Sequence, residues 1–276
     1  MKFTQIRNAT TIISYAGKNF ITDPWLQAEG SSFTAPSPWD EKNVPSPTSP
    51  LPMAPEKVLS GVDAAIITHY HPDHFDPETA AMMDKNMPVF VQSAEDAAAV
   101  KTFGFTDVRV LSSEGTVFEG VKLTKTPGQH GEKPEWAAGP SCGVIFTAEC
   151  EKILYVAGDT VYYQGVADTI DAFHPEVIVV NACGATIVDQ NGPMSEKQAA
   201  IVKSLAGMQI GKGRIIMNAE DVLSVCRKAP EAAVIASHME AVNHASVTRK
   251  DLKDFLKAHN AEDRVLIPAD GESISF

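Results

Sequence analysis

Three imidazoles and one carboxylate, at His69, His71, Asp73 and His74, fall within six consecutive positions. They follow the apolar run Ala64-Ala65-Ile66-Ile67, which reads as a short buried strand, so they stand where the chain must turn. In an extended segment His69 and His71 project to the same side, while Asp73 and His74 lie beyond the bend and can reach a second point nearby. That spacing suits two metal centres better than one. Imidazole and carboxylate are borderline-to-hard ligands suited to Zn²⁺, Mn²⁺ or Fe²⁺, and a site without thiolate is more often catalytic than structural. A lone histidine is usually an ordinary hydrogen-bonded residue, but three so close together after an apolar strand make that a poor account.

The HxHxDH string at positions 69 to 74 resembles the signature of the metallo-β-lactamase superfamily, whose fold is a four-layer αββα sandwich of the α/β class with its metal site at one edge. The resemblance implies that His130, in TPGQHG after the strand-like VKLTKT, completes a first metal site with His69 and His71. It implies that Asp159, in GDT after the apolar KILYVA, bridges both ions, and that Asp73, His74 and His238 complete the second. His238 ends the run AAVIASH, and His244, six residues on, competes as ligand or acid. Asp23, in ITDPW, matches the superfamily's early aspartate, expected to orient the ligand loop by hydrogen bonding without binding metal. The matching positions run in family order from 23 to 238, with Gly128 and Gly131 permitting close backbone approach beside His130. Within the superfamily the short hairpin start and ITDPW look most like the branch containing L-ascorbate-6-phosphate lactonase; a Pro-rich loop and SHMEAVNH depart from it.

The resemblance therefore implies a binuclear metal-dependent hydrolase holding two divalent ions, Zn²⁺ or Mn²⁺ with Fe²⁺ an alternative. Coordination lowers the pKa of a shared water to about 7, which supplies hydroxide near neutral pH. Catalytic roles are expected for Asp73, as ligand and proton shuttle, for Asp159 and for His244, with Tyr162, Tyr163 and Glu240 as further helpers. The substrate expected first is a small lactone or carboxyl ester. A phosphodiester or phosphonate ester comes second and would want a cation such as Lys133, Arg214 or Arg249 nearby. A metal-binding or sensing protein without turnover is the third reading.

Two other motifs carry less. Gly139-Pro140-Ser141-Cys142-Gly143 matches GxSxG, but a nucleophile elbow needs a strand before the serine and a helix after it, and here the strand-like CGVIFTA follows. The glycines from Gly207 to Gly213 contain neither GxGxxG nor a GK[ST] ending and read as a turn before RIIMN.

The elements that must position these residues alternate along the chain. Residues 2 to 22 alternate polar and apolar positions around Gly17-Lys18-Asn19, which predicts a β-hairpin. From about 29 to 57 the composition turns to Gly, Ser, Pro and Asn, with six prolines between Pro36 and Pro52, which predicts a long loop, either a lid or an insertion, with Trp39 as anchor or substrate contact. Asp76-Pro77 reads as an N-cap followed by proline in the first helical turn. Strand-like PVFVQ, EVIVVN and RVLIP then alternate with helix-like stretches near 94 to 103, 165 to 173, 219 to 228 and in TRKDLKDFLKAH. The 276 residues are read as one domain, 1–276.

Composition sets the remaining bounds. With 44% hydrophobic and 21% charged residues the chain can bury a sizeable core. A formal net charge of −12 repels a phosphate backbone, so nucleic acid is not an expected partner. No apolar run of membrane-spanning length or signal-peptide form appears, and the four cysteines, Cys142, Cys150, Cys183 and Cys226, contain no CxxC pair. The expectation is a cytoplasmic protein with reduced thiols, no membrane partner and a small-molecule substrate; homo-oligomer formation is compatible but unsupported by any residue.

Overall fold

The computed structural model describes residues 1–38, 44–187 and 211–276. The readings at Trp39 and at 207 to 210 lie outside the described residues.

Two seven-stranded sheets face each other. The first contains β1 (Lys2–Arg7), β2 (Thr10–Tyr15), β3 (Lys18–Thr22), β4 (Ala64–Ile67), β5 (Val89–Val91) and β6 (Val108–Val110) in sequence order, with β16 (Ser273–Ser275) beside β1. The second runs from β7 (Thr116–Phe118) through β8 (Val121–Pro127), β9 (Cys142–Thr147), β10 (Leu154–Val156), β11 (Val177–Asn181) and β14 (Ala233–Ser237) to β15 (Val265–Leu266). Between β11 and β14 in the chain, β12 (Thr186–Ile187) and β13 (Gly213–Arg214) form a small separate ladder.

The period-two alternation of the strands sorts their side chains into distinct cores. In β4, Ala64 and Ile66 face the second sheet while Ala65 and Ile67 face the helices α1 (Pro55–Leu59), α2 (Pro77–Met82) and α3 (Ala94–Lys101). In β11, Val177 and Val179 face the first sheet while Ile178 and Val180 meet α4 (Gln164–Phe173), α5 (Ala219–Lys228) and α6 (Arg249–Ala258). These strands are apolar at almost every position because both of their faces are covered, as parallel strands require. Between the sheets, Phe20, Phe118 and Phe146 pack edge to face at 5.4 to 5.9 Å. The result is the four-layer αββα sandwich that the motif implied.

Three local differences from the sequence reading have simple causes. Residues 2 to 22 form a three-stranded meander and not one hairpin: Asn8 takes a left-handed φ of 54° and makes an extra turn between β1 and β2, a conformation asparagine tolerates better than most residues. The strand expected at RIIMN shrinks to Gly213–Arg214, because Ile215 and Met217 leave the ladder and bond to Ala185 and Gly184 instead. In the described parts of the Pro-rich stretch, 29–38 and 44–57, α1 begins at Pro55 and no other helix or strand occurs. Among the described residues, no helix is long and apolar enough to cross a membrane.

Asp76 caps α2 as its sequence suggests, with its Oδ1 accepting from the backbone N–H groups of Glu78 and Thr79 at 2.8 and 3.0 Å. Removing such a cap costs about 0.5–2 kcal/mol. Asp76→Ala is therefore expected to lower unfolding free energy by that amount in a denaturant titration, and an unchanged midpoint would refute the assignment.

Candidate metal centre

Strand ends deliver the ligand residues to one edge of the sandwich. Asp23 follows β3, the string His69 to His74 follows β4, His130 follows β8, Asp159 follows β10 and His238 follows β14. Parallel strands β3 and β4 end together, and β10, β11 and β14 likewise run parallel, so these residues emerge side by side. Their ligand atoms form three triads, each within 4.8 Å: His69, His71 and His130; His69, His74 and Asp159; Asp73, His74 and His238. All seven residues predicted to hold metal are thus brought together.

The spacings are those of groups converging on a shared centre. His71 Nδ1 lies 3.0 Å from His69 Nε2 and 3.3 Å from His130 Nε2. Asp159 Oδ2 stands 3.2 Å from His74 Nε2, 3.6 Å from His130 Nε2 and 3.8 Å from His69 Nε2. Its other oxygen is 3.9 Å from His238 Nε2, so this carboxylate touches both halves of the cluster. Asp73 Oδ2 lies 3.3 Å from His238 Nε2 and 3.8 Å from His74 Nε2.

A surrounding layer of bonds aims these side chains. Asp23 accepts from the backbone N–H of Thr68 at 2.7 Å and from its hydroxyl at 2.8 Å, and lies 3.1 Å from His74 Nδ1. The Ile215 carbonyl, 2.9 Å from His130 Nδ1, places the proton there and turns Nε2 to the site. Asn181 donates to Asp159 Oδ1 at 2.6 Å, and Asn8 donates to the Asp73 carbonyl at 3.0 Å. Asp23 and His238 hold left-handed φ angles of 43° and 58°, strain that tends to accumulate at functional sites. Gly158 is obligatory before Asp159: its φ is +68° and a Cβ there would stand 2.3 Å from the Cys142 carbonyl.

Electrostatics agree with a cation at this place. Burial, with His130 beside it, lowers the His71 imidazole to about 3, and burial lowers His69 and His130, leaving lone pairs free. Burial acts against the charged form of Asp159, but His74 and His238 hold its carboxyl well below the usual range. Burial likewise opposes charge on His74, yet Asp159, Asp23 and Asp73 raise it to about 10. The carboxylates therefore call for positive charge at the second triad. Both ring nitrogens of His74 are buried without an aligned hydrogen-bond partner, and a divalent ion beside Nε2 resolves that deficit for this nitrogen. The residues present fit two ions, one on His69, His71 and His130 and one on Asp73, His74 and His238, with Asp159 able to serve both.

The pocket beside the cluster is lined by His71, Asp73, His130, Asp159, His238 and His244 and otherwise by a mostly apolar wall. His244 is 5% exposed; burial lowers it to about 4, and its Nδ1 has no hydrogen-bond partner. Tyr162 and Tyr163 pack against the core under the helices, away from this lining. Glu240 also misses it, because its left-handed φ of 58° goes with a carboxylate bound to the Arg249 guanidinium at 2.6 Å. Ser141 is no nucleophile: its buried hydroxyl donates to the Asp159 carbonyl at 2.6 Å, and β9 follows it where an elbow needs a helix.

The sequence reading missed the wall. Phe33, Ala35 and Pro36, from the Pro-rich loop, line the pocket. Asn243 grips that segment by accepting from the Ala35 N–H at 3.0 Å and donating to its carbonyl at 2.8 Å. Arg7 fastens the loop's flanks through the carbonyls of Trp25, Gln27 and Ser49 at 2.8 to 3.0 Å. An asparagine beside a candidate ligand and a buried arginine in a strand are the signals, but neither names its distant partner.

A beta-lactamase superfamily domain model matches residues 18–239. The chain belongs to that superfamily. It is 41% identical to the UPF0173 protein YddR of Bacillus subtilis, with both chains covered in full. It is 36% identical to the crystal structure of an isothiocyanate hydrolase from Delia radicum gut bacteria, with a TM-score of 0.85 over 100% of this chain and 99% of that one. A possible metal-dependent hydrolase from Veillonella parvula is 32% identical, with a TM-score of 0.86 over the same shares.

Removing Asp23 frees both Thr68 and the far nitrogen of His74, so Asp23→Ala is expected to weaken metal binding 10–100-fold; metal titration followed by mass spectrometry measures this, and wild-type affinity would contradict the role. Asn243→Ala leaves the Ala35 amide and carbonyl unpaired, at a cost of about 1–3 kcal/mol, and is expected to raise KM severalfold at unchanged metal content. An unaltered KM would show that the wall does not touch substrate.

Proposed function

We propose that this protein is a metal-dependent hydrolase acting on a small uncharged carbon electrophile, an isothiocyanate, at a two-metal site formed by His69, His71, Asp73, His74, His130, Asp159 and His238. Membership of the superfamily and the metal-dependent hydrolases among its relatives support the hydrolytic reading. The observation that carries the substrate class is the pocket wall: Phe33, Ala35, Pro36, Ala138, Ala185, Ile187 and Ile215, with no Lys or Arg among the described lining residues. An apolar wall binds a neutral organic group by removing its surface from water, and no described lining side chain offers a phosphate a cation. The full-length similarity to an isothiocyanate hydrolase supports the choice of electrophile.

The cations considered for a phosphate substrate are engaged elsewhere. Arg249 binds Glu240 and Asp270, Arg214 binds Asp221, and Lys133 stands 4.1 Å over the Trp136 ring. This weakens the phosphodiester reading and the phosphorylated substrate implied by likeness to L-ascorbate-6-phosphate lactonase. A lactone or carboxyl ester remains the second reading, since its neutral carbonyl suits the same wall.

When bound, the ions would supply a nucleophile from water at neutral pH and polarise the electrophile. The residues of this chain do the rest. The apolar wall orients the substrate with its central carbon toward the ligand cluster and excludes bulk water. Oxygen bonds to that carbon, the C=N π pair moves to nitrogen, and Asp73, which reaches the pocket, moves the proton from water to that nitrogen. The resulting thiocarbamic acid passes its remaining O–H proton to nitrogen as the C–N bond breaks, its electron pair leaving with nitrogen, to give amine and carbonyl sulfide. Asp159 orients both halves of the ligand set, and His244, neutral at pH 7, offers one ring nitrogen to the substrate.

The deciding assay measures amine release from aliphatic and aryl isothiocyanates, alongside lactones and phosphodiesters, on metal-reconstituted protein. Chelator-sensitive amine release, lost in Asp159→Ala, is the expected outcome. Full metal loading without isothiocyanate turnover would sink this reading, and turnover of lactones alone would favour the second.

A further inference from the structure

In several histidines of the cluster, the ring nitrogen turned away from it meets oxygen. His130 Nδ1 meets the Ile215 carbonyl at 2.9 Å, His74 Nδ1 meets the Asp23 carboxylate at 3.1 Å and His69 Nδ1 meets the Thr68 hydroxyl at 3.3 Å. His238 is different: its Nδ1 lies 3.5 Å from the sulfur of Cys183. This thiol has 0% exposure and sits just past the end of β11. Its position is held by the backbone, because the Cys183 carbonyl accepts from the N–H groups of Ser246 and Val247, both at 2.9 Å.

We propose that Cys183 is a positioning residue for His238, its sulfur accepting the Nδ1–H so that the Nε2 lone pair is presented to the second metal. This rests on the metal-site reading above. A metal-binding imidazole carries its proton on the other nitrogen, and for His238 that nitrogen is the one facing sulfur. On the opposite side of the ring Nε2 lies 3.3 Å from Asp73 Oδ2 and 3.2 Å from the Asn8 amide nitrogen, which is itself tied to the Asp73 carbonyl. The ring is thus clamped between a thiol and the ligand cluster.

The choice of element has a chemical consequence. Sulfur is a weaker acceptor than a carbonyl or carboxylate oxygen, so it adds less to the basicity of its imidazole than Ile215 adds to His130 or Asp23 to His74. His238 becomes the softer-held of the two imidazoles in the triad of Asp73, His74 and His238. Replacing sulfur by a hydroxyl changes the strength of that bond without removing it, whereas a methyl group leaves a buried N–H with no acceptor.

The test compares wild type, Cys183→Ala and Cys183→Ser by equilibrium dialysis against zinc with metal counted by mass spectrometry, and by the visible spectrum of the cobalt-substituted proteins, with circular dichroism to check folding. The expected result is a 10–100-fold loss of affinity for one of two equivalents in Cys183→Ala, recovery in Cys183→Ser and a shifted cobalt spectrum in the serine variant. Wild-type affinity and spectrum in Cys183→Ala would overturn the proposal, as would a serine variant that fails to recover metal. If the alanine variant does not fold, the serine spectrum decides alone, and an unshifted band refutes the role. Wild-type protein that binds no metal would instead overturn the reading of the site itself.

Discussion

Asp73 and Asp159 are carboxylates almost wholly withdrawn from water, 7% and 4% exposed, and burying an ionised carboxylate is costly unless opposite charge and hydrogen bonds come with it. The edge of this sandwich is organised around that requirement. Five histidines crowd against the two carboxylates, and the whole set lies at the ends of strands contributed by both sheets. Imidazoles at 3.0 Å from each other are poorly accommodated by packing alone. Divalent ions would satisfy acids and bases together, and the same arrangement accounts for a His74 Nε2 without an aligned hydrogen-bond partner and for the depressed carboxyls.

From this follows the division of labour between layers. The strands β3 and β14 are covered on both faces, so the turns after them can hold the strained residues Asp23 and His238 at defined angles. The described part of the Pro-rich loop adds Phe33, Ala35 and Pro36 to the pocket lining and is fastened by Asn243 and Arg7. That fastening turns a Pro-rich segment into a wall. Because Asn243 immediately precedes His244, the wall and the pocket histidine share one anchoring peptide.

Much of the site was legible before folding was considered. The HxHxDH string names four candidate ligands at once, and the family resemblance adds His130, Asp159 and His238, each shortly after a strand-like segment. A layered α/β class was legible from the alternation of strand-like and helix-like segments, and the sandwich itself came with the family resemblance. What escaped was longer in range. Asn8 looked like part of a hairpin, yet its amide reaches Asp73, 65 residues away. Asn243 drew no reading of its own beside His244, yet it holds Ala35, 208 residues away. Glu240, Tyr162 and Tyr163 looked close to the chemistry because they are close in sequence, and their side chains turn elsewhere.

The sequence by itself determined which residues could bind metal, that they follow strands, and that thiolate is absent from the ligand set. Those properties are local: residue type and spacing of two or three positions decide which way a side chain projects from a strand end. Tertiary structure alone decided which of these residues share a triad, which side chains line the pocket beside them, and that Lys133, Arg214 and Arg249 find partners outside the described lining. These depend on contacts between segments distant in the chain, where burial and hydrogen-bond geometry select one partner from many, and no local spacing encodes that choice.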